Sequence, residues 1–465
     1  MPKIKQQQGL GLEYAANGKV ELRDAAAAEN KALPIHRWVP WIAGFSAKFA
    51  QDAIDAYLTT RNRSRQLVLD PFAGVGTTLV ESLKAGRHTV GYELNRFAAL
   101  AARAKVESID IAPEDFRADV DVFRSSLTRF ESRVDRAWRS GGAPSVERIL
   151  ARMRTTSPPG FRSRIPFFSP PVQAKFLYAL EQIASVRTQH EALFRAALGA
   201  TMISYSNYTY EPSLSSRPGA DKPLIDNASV CLPVCQKLDI MAEDIRWARE
   251  CHGSTWSSLR REVYAQSYFT SRLPRHAVSL IVTSPPYMNN YHYLRNTRPQ
   301  LHWLQLIQGP EDLRAHEHES FGKFWQTVRQ GPRVDLNFEF PPLDTLLRRL
   351  RTLSLERGQY GGPGWANYVA TYFNDCTRFL DMMGRQLKPG GHAVIVIGNS
   401  IIQGIEFRVD ELLAELAEIQ GFTVVDVRHV RTKRVGSSII DSSVRNGNGP
   451  KKGTQLYDAA VILRA

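Results

Sequence analysis

The sequence predicts an α/β protein built on one open, mainly parallel sheet with two large, mainly helical insertions. Three observations lead to this prediction. Residues 67–93 have the pattern of a strand, a glycine turn, a helix and a second strand. Residues 278–282 form a short apolar run of the kind that is buried in a parallel sheet. From residue 364 to the C-terminus, helical and strand patterns alternate.

The composition is that of a globular protein with excess positive charge. The 465 residues are 43% hydrophobic and 23% charged, which excludes a largely disordered or fibrous chain. The formal net charge of +14 favours a polyanionic partner, although a merely basic protein would look the same. The four cysteines form no CxxC pair and accompany no histidine cluster, so we expect reduced thiols and no metal site.

Residues 1–33 are predicted to be a loose leader, because the start of the chain is polar and rich in glutamine. A short helical segment is expected near residues 23–30, and order is expected to begin at Leu33. No apolar signal core is present, and no window approaches the ~20 apolar residues of a membrane span. We therefore expect an intracellular protein without a membrane partner.

The strongest ligand signal lies in residues 34–106, the first part of the predicted core. Asp70-Pro71-Phe72-Ala73-Gly74-Val75-Gly76-Thr77-Thr78 joins a strand to a helix, and its glycines let a ligand approach the backbone. The stretch lacks a Gly-Lys-Ser/Thr sequence, and Leu79 replaces the third glycine of the dinucleotide fingerprint. The next strand ends at Glu93, whose carboxylate can accept both ribose hydroxyls of an adenosine. Nucleoside binding is favoured over a plain βαβ unit in which Glu93 is only a cap or solvated.

A second motif, Thr283-Ser284-Pro285-Pro286-Tyr287, directly follows the apolar run at residues 278–282. We predict a loop at the carboxyl edge of the sheet, where open α/β sheets bind ligands. Two prolines stiffen the backbone and leave the carbonyls of Ser284 and Pro285 free to accept hydrogen bonds. With the ring of Tyr287, they could hold a planar amine such as that of a nucleobase. On its own, the motif is more often an ordinary Pro-Pro turn.

Together, the two motifs resemble those of S-adenosylmethionine-dependent DNA amino-methyltransferases, the N4-cytosine and N6-adenine type. The resemblance implies a Rossmann-like, seven-stranded sheet whose last strand is inserted antiparallel as a hairpin. It implies S-adenosyl-L-methionine as cofactor, double-stranded DNA as partner and a cytoplasmic, nucleoid-associated location, and it leaves a cognate restriction endonuclease open. The catalytic residues would be Ser284, Pro285, Pro286 and Tyr287.

The same resemblance implies a cofactor site. Lys48 and Phe49 are included because Ala47-Lys48-Phe49 is similar to an element that contacts the methionine end of the cofactor. Gln266 stands near the end of a strand where the family commonly has an aspartate that accepts from the adenine amine, and its amide still offers an acceptor. The full set is Lys48, Phe49, Asp70, Pro71, Phe72, Gly74, Gly76, Thr77, Thr78, Glu93 and Gln266.

The first residue of the catalytic motif bears on the substrate. Family members with a serine at the position of Ser284 most resemble enzymes that make N4-methylcytosine, so cytosine is favoured over adenine. N6-methyladenine stays open because the shape of the pocket, rather than one residue, selects the base. An RNA methyltransferase acting on tRNA guanine and a non-catalytic DNA-binding protein on the same scaffold are further alternatives.

The rest of the chain predicts the domain order. Residues 107–260 form an inserted helical subdomain, because an unstructured connection of that length is implausible. The core returns at 261–294, a second insertion spans 295–363, and the core ends with 364–465; either insertion could read DNA. The aromatic stretch 204–212 is either a DNA contact or a tyrosine-rich surface loop or half-buried strand. A phosphate-backbone contact is favoured over a solvated loop for the basic hairpin with Arg428, Arg431, Lys433, Arg434, Arg445, Lys451 and Lys452.

Overall fold

The computed structural model describes residues 22–41, 44, 46–158, 161–210, 214–288, 293–433 and 456–465. The strands within these ranges are β1 (Leu67–Asp70), β2 (His88–Tyr92), β3 (Tyr208–Tyr210), β4 (Leu214–Ser216), β5 (Arg261–Tyr264), β6 (Val278–Thr283), β7 (Leu387–Gly398), β8 (Ser400–Ile402), β9 (Ile405–Phe407), β10 (Thr423–Lys433) and β11 (Leu456–Arg464). The α-helices are α1 (Ala47–Tyr57), α2 (Thr77–Lys84), α3 (Arg96–Glu107), α4 (Pro113–Leu150), α5 (Pro170–Ile183), α6 (Thr188–Thr201), α7 (Cys231–Trp256), α8 (Tyr293–Asn296), α9 (Arg298–Trp303), α10 (Pro310–Glu319), α11 (Trp325–Val328), α12 (Pro341–Arg351), α13 (Gly362–Gln386) and α14 (Val409–Ile419).

Within the described ranges, seven strands form one sheet in the order β10, β11, β7, β6, β1, β2, β5. The pairs from β7 to β5 are parallel, whereas β11 lies antiparallel to both β7 and β10. The Rossmann-like, seven-stranded sheet that the sequence predicts is therefore confirmed. Because β1 lies between β2 and β6, the loops after these three strands meet at one edge.

Both faces of the sheet are covered by helices. Alternate strand residues contribute to different apolar clusters, as the two-residue period of a strand requires: Leu69 and Ile281 face α13, whereas Val68 faces α1. Helices α4 to α7 of the first insertion share a third cluster with α2 and α3. Both insertions are mainly helical, as predicted, while the domain boundaries themselves stay predictions.

One turn explains how the cofactor-type motif folds. Gly76 precedes α2 with φ of 84°, a left-handed conformation that side chains disfavour. A Cβ atom at this position would lie 3.1 Å from the Cα and Cβ atoms of Ala102 on α3. The glycine thus allows the turn after β1 to pack directly against α3.

Residues 22–33 are more ordered than the sequence predicts. Arg23 donates to both carboxylate oxygens of Asp52 on α1, and Leu22 is buried beside the same helix. A short 3-10 helix follows at Ala27–Lys31. These contacts join residues far apart in the chain, so no local pattern reveals them; residues 1–21 lie outside the described part of the chain.

None of the helices in the described ranges is both long and apolar enough to cross a lipid bilayer.

The ammonium group of Lys105 on α3 is buried in an unusual way. The residue is 1% exposed, and its Nζ atom has no hydrogen-bond partner among the residues that the structure describes. Burial, with a smaller contribution from the charge of Lys237, lowers its pKa from 10.5 to about 7. The folded protein therefore carries an ammonium ion in an unfavourable site at and below neutral pH.

We expect Lys105→Met to raise the free energy of unfolding by roughly 1–4 kcal/mol at pH 7, measured by urea denaturation. In the wild type, the free energy of unfolding should rise between pH 7 and pH 10. In this window the unfolded lysine still binds a proton that the folded one has released. Lys31→Met, at an exposed site, serves as the control. A less stable Lys105→Met protein would contradict this explanation.

Candidate functional site

A cleft opens at the carboxyl edge of the sheet, above the ends of β1, β2 and β6. Its empty volume, which includes open solvent, is about 1250 Å³. Nine of the predicted site residues line it: Pro71, Phe72, Gly74, Thr77, Glu93, Gln266, Ser284, Pro286 and Tyr287. The tertiary structure therefore brings the glycine motif and the Ser-Pro-Pro-Tyr motif into one cavity, although more than 200 residues separate them along the chain.

Glu93 lies in this cleft directly after β2. Its Oε2 atom accepts a hydrogen bond from the Gly74 amide at 2.8 Å, and its Oε1 atom accepts from the Asn95 amide at 2.7 Å. Burial raises the pKa of Glu93 to about 7 in spite of these two hydrogen bonds. Each oxygen keeps acceptor capacity, so the carboxylate could hold the two hydroxyls of a ribose.

Asp70 does not line the cleft but connects its two motifs. Its Oδ1 atom accepts from the Thr283 hydroxyl at 2.7 Å and from the Phe72 amide at 3.1 Å. Burial raises its pKa to about 6. Thr78 makes a parallel connection, since its hydroxyl donates to the Val282 carbonyl at 3.1 Å. Both residues tie the turn after β1 to the end of β6.

Lys48, Phe49, Gly76 and Pro285 are also absent from the cleft lining. Phe49 is completely buried in the cluster between α1 and the sheet, and the ammonium of Lys48 forms an ion pair with Glu29. The predicted contact of these two residues with a cofactor therefore has no geometric support. Trp41, a few residues earlier, lines the cleft instead.

Side chains of α13 and β8 support the Ser-Pro-Pro-Tyr loop on its buried side. The Tyr372 hydroxyl donates to the Pro286 carbonyl at 2.9 Å, and the Ser400 hydroxyl donates to the Met288 carbonyl. Ser284 itself remains half-buried at the cleft surface. The stiff loop expected from the two prolines is thus supported by two side chains that are distant in sequence.

Tyr287 packs against the backbone of β7 and bonds to a carboxylate on β11. A Cβ atom on Gly398 would lie 3.0 Å from Tyr287 Cε2 and 3.1 Å from Asp458 Oδ1, so only a glycine fits here. Burial, together with the charge of the nearby Asp458, raises the pKa of Tyr287 well above its usual value, and Ser284 and Asp458 both act on its hydroxyl. Asp458 is 4% exposed and pairs with Gly398 in the sheet.

Aromatic residues that sequence reasoning missed form another wall of the cleft. Tyr268 and Phe269 directly follow Gln266 and Ser267, and Phe321 comes from the second insertion. The rings of Phe72 and Phe321 meet edge to face, with centroids 5.2 Å apart. Among these residues, only Tyr268 and Phe269 could have been suspected from the sequence, because they lie close to the predicted site residue Gln266.

The two predicted DNA-contact segments have other partners in the structure. Tyr208–Tyr210 forms a half-buried hairpin with β4, and the Tyr210 hydroxyl donates to the Asn296 carbonyl at 2.9 Å. In the basic hairpin, Arg428 pairs with Asp426 at 2.8 Å. Residues 211–213 and 434–455 lie outside the described part of the chain.

No group of three or more metal-binding side chains occurs within the described ranges. The four cysteines are free thiols.

The chain is similar in sequence to known DNA methyltransferases. Residues 29–103 match the N6/N4 methyltransferase family model, described as DNA methylase. The chain is 23% identical over 458 residues to the Type II methyltransferase M.AvaI of Nostoc sp. (strain PCC 7120), which covers 92% of this chain and 88% of the relative. It is 21% identical over 437 residues to the Type II methyltransferase M.BsoBI of Geobacillus stearothermophilus, covering 88% and 82% of the two chains. A shorter match, 30% over 67 residues, links 14% of the chain to 13% of the Type II methyltransferase M.MjaII of Methanocaldococcus jannaschii.

Proposed function

We propose that this chain, which belongs to the DNA amino-methyltransferase family, methylates the exocyclic amine of a base flipped out of duplex DNA, with cytosine N4 as the target. One observation carries the proposal. Ser284 and Tyr287 line the same cleft as Glu93 and Phe72, so a site suited to a planar amine adjoins a site suited to a nucleoside.

The nucleoside site fits S-adenosyl-L-methionine. Glu93 is placed to accept the ribose hydroxyls, Gln266 offers an amide acceptor, and Phe72 and Phe269 provide apolar ring surface for adenine. When bound, this cofactor supplies an electrophilic methyl group. Ser284 lines the same cleft, where it could meet the amine that receives this group.

The role of Ser284 is to position the amine rather than to deprotonate it. A serine hydroxyl is too weak a base to take a proton from a neutral amine, so the proton leaves to solvent after the transfer. In this arrangement the Tyr287 hydroxyl donates a hydrogen bond to Asp458 and accepts one from the Ser284 hydroxyl. The lone pairs of the Ser284 oxygen then face the substrate. We propose that the Pro285 carbonyl is the second acceptor, reached as the base enters.

Asp458 therefore has a testable positioning role. We expect Asp458→Asn to lower kcat by roughly 10-fold, since the amide no longer orders the Tyr287 and Ser284 hydroxyls, with little change in cofactor affinity. Tyr287→Phe should lower kcat by a similar factor, and the double variant should lose no more than either single one. Single-turnover methylation and calorimetry measure the two effects.

Asp426→Asn, on the neighbouring strand β10, is the matched control, because its carboxylate pairs with Arg428 instead of Tyr287. Full kcat in Asp458→Asn would show that Asp458 does not position the catalytic loop. If the decrease in kcat of the double variant equals the product of the two single decreases, Tyr287 and Asp458 act separately.

The choice of cytosine is supported by the resemblance at Ser284, where N6-adenine enzymes more usually have an acidic or amide residue. Duplex DNA methylated by the pure protein can be digested and its nucleosides separated. N4-methylcytosine is the expected product, and N6-methyladenine alone would overturn the choice of base. Transfer of methyl groups to tRNA but not to duplex DNA would overturn DNA as the substrate.

We further propose a role in a restriction–modification system with a cognate endonuclease. The support is that relatives named Type II methyltransferases align with most of this chain. Sequencing of host DNA with modification detection, with and without the gene, should show one methylated sequence that disappears with the gene. Unchanged methylation would oppose site-specific modification by this protein.

A further inference from the structure

The connection between α4 and α5 carries a group of unpaired positive charges. Residues 148–164 contain five arginines and no aspartate or glutamate. Four of them form what we call the arginine segment: Arg152, Arg154, Arg162 and Arg164. All four are exposed, and none forms an ion pair with the residues that the structure describes.

Some arginines of the same insertion join its helices through carboxylates. Arg187 pairs with Asp119, and Arg124 pairs with Asp239 at 2.5 Å. The arginine segment forms no such pair with the described residues, which is also true of exposed arginines on α4 such as Arg117 and Arg129. Its four guanidinium groups favour a polyanion.

The arginine segment is attached to α9. Arg298, the first residue of α9, donates to the Arg162 carbonyl and stacks over Phe161 with its Cζ atom 5.1 Å from the ring centroid. The Phe161 ring also contacts His302 of the same helix, with centroids 5.4 Å apart. These contacts give the backbone around Arg162 a defined place on the protein.

Helix α9 leads back to the candidate catalytic cleft. It follows α8, whose first residues, Tyr293 and Leu294, line the cleft. Only Thr297 separates the two helices, and Arg298 stands five positions after Tyr293 in the chain. The part of the arginine segment at Arg162 is therefore joined to the helix that follows the cleft-lining α8.

We propose that the arginine segment binds the phosphate backbone of duplex DNA beside the flipped base, on the α8–α9 side of the cleft. This inference rests on the proposed function. It assigns a main DNA contact to the first insertion and to a part of it other than the aromatic stretch 204–212. The arginines hold the backbone and carry no sequence information themselves.

The test replaces all four arginines, Arg152, Arg154, Arg162 and Arg164, by glutamine. The matched control removes the same number of exposed charges at the opposite edge of the sheet, before β1 and β6: Arg61, Arg63, Arg65 and Arg275 to glutamine. Binding of a 30-base-pair duplex is measured by fluorescence anisotropy between 50 and 300 mM salt. Cofactor affinity and thermal unfolding are measured on both variants.

The arginine-segment variant should bind duplex DNA roughly 30- to 100-fold more weakly at about 100 mM salt. Its slope of log K against log salt should be smaller by about 3–4, since each phosphate contact contributes about 0.9. The control variant should stay within about threefold of the wild type, and both variants should keep wild-type cofactor affinity. If the quadruple variant is unstable, the pairs Arg152/Arg154 and Arg162/Arg164 are replaced separately, and each should lose about half of the slope change.

Equal DNA affinity and salt slope in the two quadruple variants would overturn the inference while leaving the proposed function intact. A wild-type protein that neither binds nor methylates duplex DNA would instead overturn the proposed function. The measurements on the wild-type protein therefore distinguish failure of this inference from failure of the proposed function.

Discussion

Replacing Ser284 with alanine should lower the turnover number for DNA methylation by about 100-fold or more. In the proposed mechanism Ser284 is the side-chain acceptor of the Ser-Pro-Pro-Tyr loop that lines the cleft, and its loss leaves only the Pro285 carbonyl to hold the amine. Affinity for S-adenosyl-L-methionine should stay within about twofold, because the ribose and adenine contacts of the proposal lie on the loops after β1, β2 and β5. Single-turnover methylation of a duplex and calorimetry with the cofactor measure the two quantities.

Ser279→Ala is the control for this experiment. Ser279 lies on the same strand, β6, but near its other end, where its hydroxyl contacts Lys388. This variant should keep full turnover. If Ser284→Ala also kept full turnover, the proposed mechanism would be wrong, whereas a selective loss of cofactor binding would place Ser284 in the cofactor site instead.

The second large effect is expected at Glu93. Glu93→Ala should weaken cofactor binding by about 100-fold, since it removes the ribose acceptor and leaves the buried amides of Gly74 and Asn95 without their bonds. The affinity of the wild type should also rise between pH 6 and pH 8. The pKa of Glu93 in the protein without cofactor is about 7. Its ionised carboxylate accepts both ribose hydroxyls in the proposed complex.

Calorimetry across this pH range tests the assignment. Glu93→Gln keeps the shape of the side chain and should give weaker affinity with little dependence on pH. Glu262→Gln, on the neighbouring strand β5, changes a carboxylate that pairs with Arg260 and should leave the profile unchanged. A wild-type affinity that does not change from pH 6 to pH 8 would contradict the role of Glu93.

Local patterns predicted much of the sheet domain. The strand, glycine turn, helix and second strand expected within residues 67–93 are β1, the turn at Gly76, α2 and β2 in the structure. These elements are bounded by turns and have clear periodicity, so their conformation depends little on distant contacts.

Of the residues predicted from the similarity of short motifs, some line the cleft and others do not. Glu93 and Ser284 line the cleft, because the ends of adjacent parallel strands meet wherever the sheet forms. Lys48 and Phe49 do not line it, because which face of a short helix is buried depends on the surface that the helix packs against. Whether the assigned residues act in cofactor binding and catalysis stays a prediction.

The sequence by itself determined that two nucleotide-type motifs end neighbouring strands of an α/β sheet, because strand, turn and helix signals are local. Only the tertiary structure decided what surrounds them. Trp41, Phe321, Tyr372 and Asp458 come from four separate parts of the chain and meet at the cleft or directly behind it. The local sequence does not distinguish these four residues from the other aromatic and acidic residues of the chain, because packing between distant elements brings them together. The same holds for the unpaired arginines beside α9, whose exposure depends on which carboxylates the fold brings near them.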